Sequence, residues 1–266
     1  MSDPVEIRPG LCSVTFRSLT PTAIIPLAAA AGLGAIEWAA DAHVLPGDHA
    51  AAAAVARRCA DAGIACASYG SYLFAGATDG RGDGAAEVIE TAVALGAPNV
   101  RVWCEWGSPV EAGAAQRAAV VAAVAAITAR AADAGLTVSL ELHPHTLTET
   151  AASTVALLDE VGDEALFTYW QPDPRLGPAE LLAELGAVLP RLSHLHVFRW
   201  RADATRSPLA AGTDLWPEAL MLARTPGAWH GPRLALLEFV RGDDPDQLMA
   251  DAVVLRRWLG LSPPRP

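Results

Sequence analysis

The sequence predicts a single closed barrel of eight parallel β-strands wrapped by eight helices, a (β/α)8 barrel spanning residues 1–266 as one domain. Three observations predict it. A short apolar, β-rich run followed by a helical stretch recurs eight times. Several of the helices end at a glycine directly before the next strand, as a left-handed C-terminal cap requires. Eight such units in about 250 residues match the size of this architecture. An open doubly wound sheet is the alternative, but it usually has fewer strands, and the first βα turn carries no GxGxxG.

The elements follow in order. The first strand is placed over 11–17. Thr20 caps a helix with Pro21 at its first position, and that helix runs to Gly32. The second strand covers 35–40, and Asp48 caps a helix ending at Gly63. The third covers 64–72, with a helix over about 83–96. The fourth covers 99–106, with a long helix over about 113–135. The fifth covers 137–142, with a helix over about 150–162. The sixth covers 166–171, with a helix over about 178–189. The seventh covers 192–200, followed by a long loop and a helix over about 216–224. The eighth covers 234–240, and Asp244-Pro245 opens a last helix ending near Gly260. Strands apolar on both faces that alternate with helices are those of a parallel sheet. The tail SPPRP is expected to fray.

Composition excludes several chemistries. All 19 cations are arginine, because the chain has no lysine. That removes a lysine Schiff base and the P-loop lysine. A net charge of -11 without a basic run is poorly suited to a phosphate backbone, so no nucleic-acid partner is expected. Cys12, Cys59, Cys66 and Cys104 show no CxxC pairing, and reduced thiols in a cytoplasm are expected. Two acids precede the first arginine at the N-terminus, which therefore does not read as a signal peptide. The alanine-rich runs are interrupted by Arg57, Arg58 and Asp61 or flanked by Arg117 and Arg130. No membrane association is expected, since a span needs about 20 residues.

In a closed barrel of this kind the reaction site sits at the C-terminal ends of the strands. Polar residues should therefore fall late in each strand at a spacing of two. Glu37, Asp41 and His43 lie at the second unit, and Ser68, Tyr69 and Ser71 at the third. Trp103 and Glu105 lie at the fourth, Glu141 and His143 at the fifth, and Gln171 at the sixth. His194 and His196 lie at the seventh and Glu238 at the eighth. Each of the last four strands thus delivers an oxygen or imidazole to one rim. Two carboxylates, an imidazole and an amide oxygen suit a divalent cation with open positions for substrate oxygens. A structural thiolate site is not supported, and Cys12 and Cys104 read as small core hydrophobes.

The segments VSLELHPHTLTET, YWQP, HLHVFRW, PLAAGTDLW and LLEFV, in this order, resemble the xylose-isomerase-like TIM-barrel superfamily. GAIEWAADAHVLPGD, ASYGSY and YWQP are most similar to a subgroup of sugar phosphate isomerases/epimerases. The resemblance implies metal ligands at Glu141, Gln171, His196 and Glu238, with Glu141 and Glu238 also trading protons across the substrate. Glu37, His43, Trp103, His143 and Arg199 are the candidates for binding substrate. The implied cofactor is a divalent ion, Mn2+ before Co2+, Mg2+ or Zn2+. Strand six departs from the family, which usually places Asp there; Gln171 adds no charge, and Asp173 between two prolines is the other candidate.

The implied function is isomerisation or epimerisation of a sugar, cyclitol or sugar-derived keto compound, by proton transfer through an enediolate. A lyase or dehydratase on the same site, C-glycoside cleavage included, is the alternative. A metal-poor binding protein is the third reading, and a homodimer is compatible with the family. Against all of these stands a purely structural account, in which the buried glutamates are paired to arginines: Arg101, Arg199 and Arg201 are available. Trp38, Trp103, Trp106, Trp170 and Trp200 are candidates for an apolar wall, with packing favoured for Trp170. Arg206 is a candidate for holding a phosphate or carboxylate.

Overall fold

The computed structural model describes residues 3–262; most of the SPPRP tail lies outside them. Eight parallel strands close on themselves in sequence order. They are β1 (Ile7–Cys12), β2 (Ala35–Ala39), β3 (Ala65–Ala75), β4 (Asn99–Cys104), β5 (Thr137–Glu141), β6 (Leu166–Trp170), β7 (Leu192–Val197) and β8 (Arg233–Leu237). The helices α1 (Pro21–Ala30), α2 (His49–Asp61), α3 (Ala85–Leu95), α4 (Ala114–Asp133), α5 (Ala151–Val161), α6 (Pro178–Val188), α7 (Trp216–Leu222) and α8 (Pro245–Trp258) alternate with them. The (β/α)8 expectation holds.

The first strand starts earlier than expected, at Ile7, and residues Ser13–Phe16 form a 3-10 turn instead. Pro-Gly is a dipeptide common in turns, yet Pro9 and Gly10 lie inside β1. In the fold, Gly10 is where β1 closes on both neighbours. A Cβ there would lie 2.6 Å from Leu236 Cδ2 and 2.8 Å from the Ala35 carbonyl oxygen. Pro9 lacks an N–H but keeps its carbonyl, which accepts from Gly34 N–H at 3.1 Å.

Two cores result. The larger lies between the barrel and the helices, where α4 buries Val120, Val124, Ile127 and Ala131 on one face. By length and apolarity alone α4 is long enough to span a membrane; it is the fourth of eight barrel helices and packs against β3, β4 and β5. The smaller core fills the barrel itself with Cys12, Ala35, Ala67, Tyr169, Leu234 and Leu236. Small side chains there leave the upper interior to larger polar groups. Arg233 on β8 is fully buried and pins the base of the barrel. Its guanidinium donates to the carbonyls of Leu192, Ala223, Thr225 and Leu189 at 2.5–3.2 Å.

Candidate active site

Glu37 on β2, Arg101 on β4, Glu141 at the end of β5, His196 on β7 and Glu238 just past β8 meet inside the upper barrel. Each is five per cent exposed or less. Period-two alternation along the strands aims these side chains inward. Glycine at position 70 makes the meeting possible, since a Cβ there would lie 3.0 Å from both Arg101 Nη2 and Glu37 Oε1.

His196 is the hub. Its Nε2 lies 3.3 Å from Glu37 Oε1, and its Nδ1 lies 3.5 Å from both Glu141 Oε1 and Glu238 Oε2. Arg101 Nη1 is 2.9 Å from Glu141 Oε2, and its Nε is 3.6 Å from Glu37 Oε1. Glu141 Oε2 also accepts from Trp103 Nε1. Gln171 Nε2 donates to Glu141 Oε1 and to the Leu142 carbonyl, both at 3.0 Å. Below, Tyr169 donates to Ser68 at 2.8 Å, and Ser68 donates to Glu37 Oε2 at 2.5 Å.

Burial raises the pKa of every carboxyl here, and the neighbours decide which remain ionised. For Glu141, burial is outweighed by the Arg101 guanidinium and His196, which hold its carboxyl well below the usual range. Glu37 is likewise held down to about 2, by His196, Arg101 and the Ser68 hydroxyl acting against burial. For Glu238 burial wins over His196, and its carboxyl is pushed up to about 7. His196 is driven well above the usual imidazole value, the acidic groups around it overcoming its burial.

The expected site residues divide. Glu37, Trp103, Glu141, Gln171, His196 and Glu238 are brought together at the C-terminal mouth. His143 stands at its wall, 4.5 Å from the Trp103 ring, and donates from Nδ1 to the Pro144 carbonyl. His43 takes another place: its Nε2 donates to the Phe16 carbonyl at 3.1 Å and its Nδ1 accepts from Ser13 at 2.9 Å. Ser13 in turn accepts from Ala39 N–H. With both ring nitrogens engaged, His43 ties the turn after β1 to β2 and has no donor left for a substrate. Arg199 is turned away as well, to Asp214 at 2.9 Å. Asp173 is bound to Arg175 at 2.5 Å, and Arg206 to Asp243 at 2.5 Å. Trp38 and Trp170 are fully buried packing residues.

Arg101 is the member whose place at the centre the sequence leaves undecided. Its signal is an arginine midway along an otherwise apolar strand, in phase with Trp103. Outside the cluster, a cavity of about 300 Å3 opens between His143, Gln171, Phe198, Trp200 and Phe239. Phe239 holds φ at +49°, a left-handed conformation that bulky residues avoid, directly after Glu238. Larger cavities of about 820 and 400 Å3 lie at the opposite end of the barrel, away from the carboxylates.

Three of the four implied ligands, Glu141, His196 and Glu238, face one another, but the two glutamates must draw together to share a divalent cation, since the three do not all lie within 4.8 Å of one another. Nδ1 of His196 sits between Glu141 and Glu238, and His196 Nδ1, His196 Nε2 and Glu238 Oε2 are buried without a hydrogen-bond partner. Buried polar atoms without partners are costly, and a cation would satisfy them. The fourth position does not fit as placed. The Gln171 amide turns its NH2, not its carbonyl oxygen, toward Glu141 and Leu142, both of which accept.

A family model described as xylose isomerase-like TIM barrel matches residues 25–247. No curated protein sequence matches the chain. Among solved structures, the probable 3-DHS dehydratase of Bacillus anthracis superposes with a TM-score of 0.78 at 19% identity, over 93% of this chain and 98% of that one. The D-allulose 3-epimerase of Methylomonas sp. gives 0.71 at 20% identity, over 97% and 100%. A xylose isomerase-like TIM barrel protein of Mycobacterium smegmatis in complex with magnesium gives 0.64 at 17% identity, over 97% of each chain. With the closed barrel, the buried glutamates at its mouth and a match over most of its length, this chain belongs to the xylose isomerase-like TIM barrel family.

Proposed function

We propose that the chain is an isomerase or epimerase of a sugar or sugar-derived keto compound, moving protons on carbons next to a carbonyl. The observation that carries this reading is the pair Glu141 and Glu238, each with an oxygen 3.5 Å from His196 Nδ1, at the mouth of a family barrel. Glu141, His196 and Glu238 would hold a divalent cation, of which Mn2+ is our first candidate. When bound, it supplies Lewis acidity toward a substrate carbonyl.

The chain's own residues do the rest. Glu238, the one glutamate of the three that lacks a guanidinium partner, takes up and returns the proton. Glu141 is fixed by Arg101, Trp103 and Gln171, and must give up one of these bonds to accept a proton. Trp103 and His143 wall the substrate on one side, Phe198, Trp200 and Phe239 on the other, and these rings exclude bulk water. Glu37 and Ser68 lie beneath as fixed acceptors.

The likeness to an allulose epimerase makes a free ketohexose the first probe. Incubation of the Mn2+-loaded protein with D-allulose and D-fructose in heavy water should place deuterium next to the carbonyl. Glu141→Gln and Glu238→Gln should each abolish the exchange while leaving the circular dichroism unchanged. Exchange that persists in both variants would remove the mechanism.

A lyase is the second reading, and one observation favours it. With Glu141 held by Arg101, Trp103 and Gln171, Glu238 Oε2 is the carboxylate oxygen of the cluster without a hydrogen-bond partner, and a single group that takes the proton and passes it to a departing β-hydroxyl performs an elimination. Product mass separates the two: loss of water or an aglycone against no change.

A further inference from the structure

We propose that the barrel contains a second cation seat, deeper than the first, formed by Cys12, Glu37 and Nε2 of His196, and that it takes a thiophilic divalent ion of the Zn2+ class. The seat stands independently of the isomerase reading.

Among the described residues, these three are the one group of His, Cys, Asp and Glu whose ligand atoms all lie within 4.8 Å of one another. They come from the end of β1, the middle of β2 and β7, so three separate strands converge on the point. Nε2 lies 3.3 Å from Glu37 Oε1, and Cys12 Sγ lies 3.9 Å from the same oxygen. Tetrahedral zinc, with Zn–S of about 2.3 Å and Zn–N or Zn–O of about 2.0–2.2 Å, has ligand-to-ligand edges of about 3.3–3.6 Å. The nitrogen–oxygen edge is already in place, the sulfur–oxygen edge needs to close by a few tenths of an ångström, and the sulfur–nitrogen edge, within 4.8 Å, closes with it as the Cys12 side chain moves inward. Cys12, Glu37 and His196 are at most three per cent exposed, and Nε2 has no hydrogen-bond partner. A buried imidazole nitrogen 3.3 Å from a carboxylate, without a well-formed hydrogen bond to it, is open to an ion that takes the place of its proton.

The two nitrogens of His196 address different seats. Nδ1 faces Glu141 and Glu238, all hard donors, whereas Nε2 faces a seat with a sulfur. Hard ions such as Mg2+ and Mn2+ prefer the oxygen-rich side, and Zn2+, Co2+ or Cd2+ the thiolate side. A ligand bond at Nε2 leaves the ring's one proton on Nδ1, pointing at Glu141 and Glu238. Filling the inner seat therefore opposes filling the outer one. The proton balance is closed: the ion's two charges replace the Cys12 S–H proton and one imidazolium proton, both released to solvent. Affinity at this seat accordingly rises with pH.

The test is cobalt titration of the full-length protein after treatment with a chelator, followed by absorption. A thiolate on Co2+ gives a near-ultraviolet charge-transfer band that oxygen and nitrogen donors do not. We expect the band to appear with one equivalent, to vanish in Cys12→Ser and to persist in Cys104→Ser. A wild-type protein without the band at saturating Co2+, or a band that survives Cys12→Ser, overturns the proposal. Should Cys12→Ser fail to fold, Glu37→Gln replaces it: competition against a chromophoric chelator should show Zn2+ affinity reduced about tenfold or more, and unchanged affinity overturns the proposal. Neither readout uses turnover, so the deuterium-exchange test of the outer site stands or falls separately.

Discussion

Arg101 Nη1 lies 2.9 Å from Glu141 Oε2 in the middle of a closed barrel, and neither side chain is more than five per cent exposed. A guanidinium at this depth makes three buried glutamates tolerable, because it is shared between Glu37 and Glu141. It also fixes which glutamate remains free to titrate. Glu238 has no such partner, and its carboxyl alone is pushed toward neutrality.

Removing the cation should expose that debt of charge. Arg101→Met leaves Glu37 and Glu141 buried without their guanidinium, and we expect a loss of about 3–5 kcal/mol of stability. Adding Glu141→Gln to the same chain should restore part of it. Urea unfolding of the two single variants and the double variant measures the coupling; strictly additive losses would show that the pair acts as two separate residues.

A second expectation concerns pH. Glu238 binds its proton more tightly folded than unfolded, from 4.5 up to about 7. The folded state thus holds the extra proton between these values, and stability from this group is full below 4.5 and lost as pH rises through 7. In chelator-treated protein, the stability of wild type relative to Glu238→Gln should fall across that window. A flat difference between the two proteins from pH 5 to pH 7.5 would contradict the burial argument.

At strand six, Gln171→Asp supplies the carboxylate that the family usually places there. The change replaces an amide donor to Glu141 with a further carboxylate beside it. Affinity for Mn2+ should rise about tenfold or more, since cation affinity at oxygen sites is set largely by ligand charge. Isothermal titration of both proteins checks it, and equal affinities would mean that position 171 does not face the cation.

Arg233 offers a test with no bearing on the chemistry. Burial lowers its pKa to about 10, and it is held by carbonyls with no carboxylate among its partners. Arg233→Met should cost about 3 kcal/mol or more, because several buried carbonyls lose a charged donor together. Thermal unfolding reads this directly, and a change within half a kcal/mol would show that water replaces the guanidinium.

Much of the architecture is legible in the sequence. Glycines 63, 96, 135 and 162 mark helix ends at positive φ, and the apolar runs that follow them are strands three to six. The first strand was harder to place, since Pro9-Gly10 carries a turn signature. Only the approach of Ala35 and Leu236 explains why a residue without a Cβ stands inside a strand. At the mouth, the period-two phase of Glu141, His196 and Glu238 was visible because alternation is local. The partners that His43 and Arg199 take in the fold are not legible in the same way: Ser13 with the Phe16 carbonyl and Asp214 are 15 to 30 residues away.

What the sequence alone determined is the barrel and the strand ends at which polar side chains appear, because both follow from short-range periodicity and capping. What only the tertiary structure decided is how those side chains divide the charge. Arg101 takes Glu141, Gln171 turns its NH2 inward, Glu238 is left to hold a proton, and Cys12 comes to stand beside His196. That division depends on distances across a closed ring between residues up to two hundred positions apart, and Coulomb and hydrogen-bond energies are set by those distances and by burial, not by order along the chain.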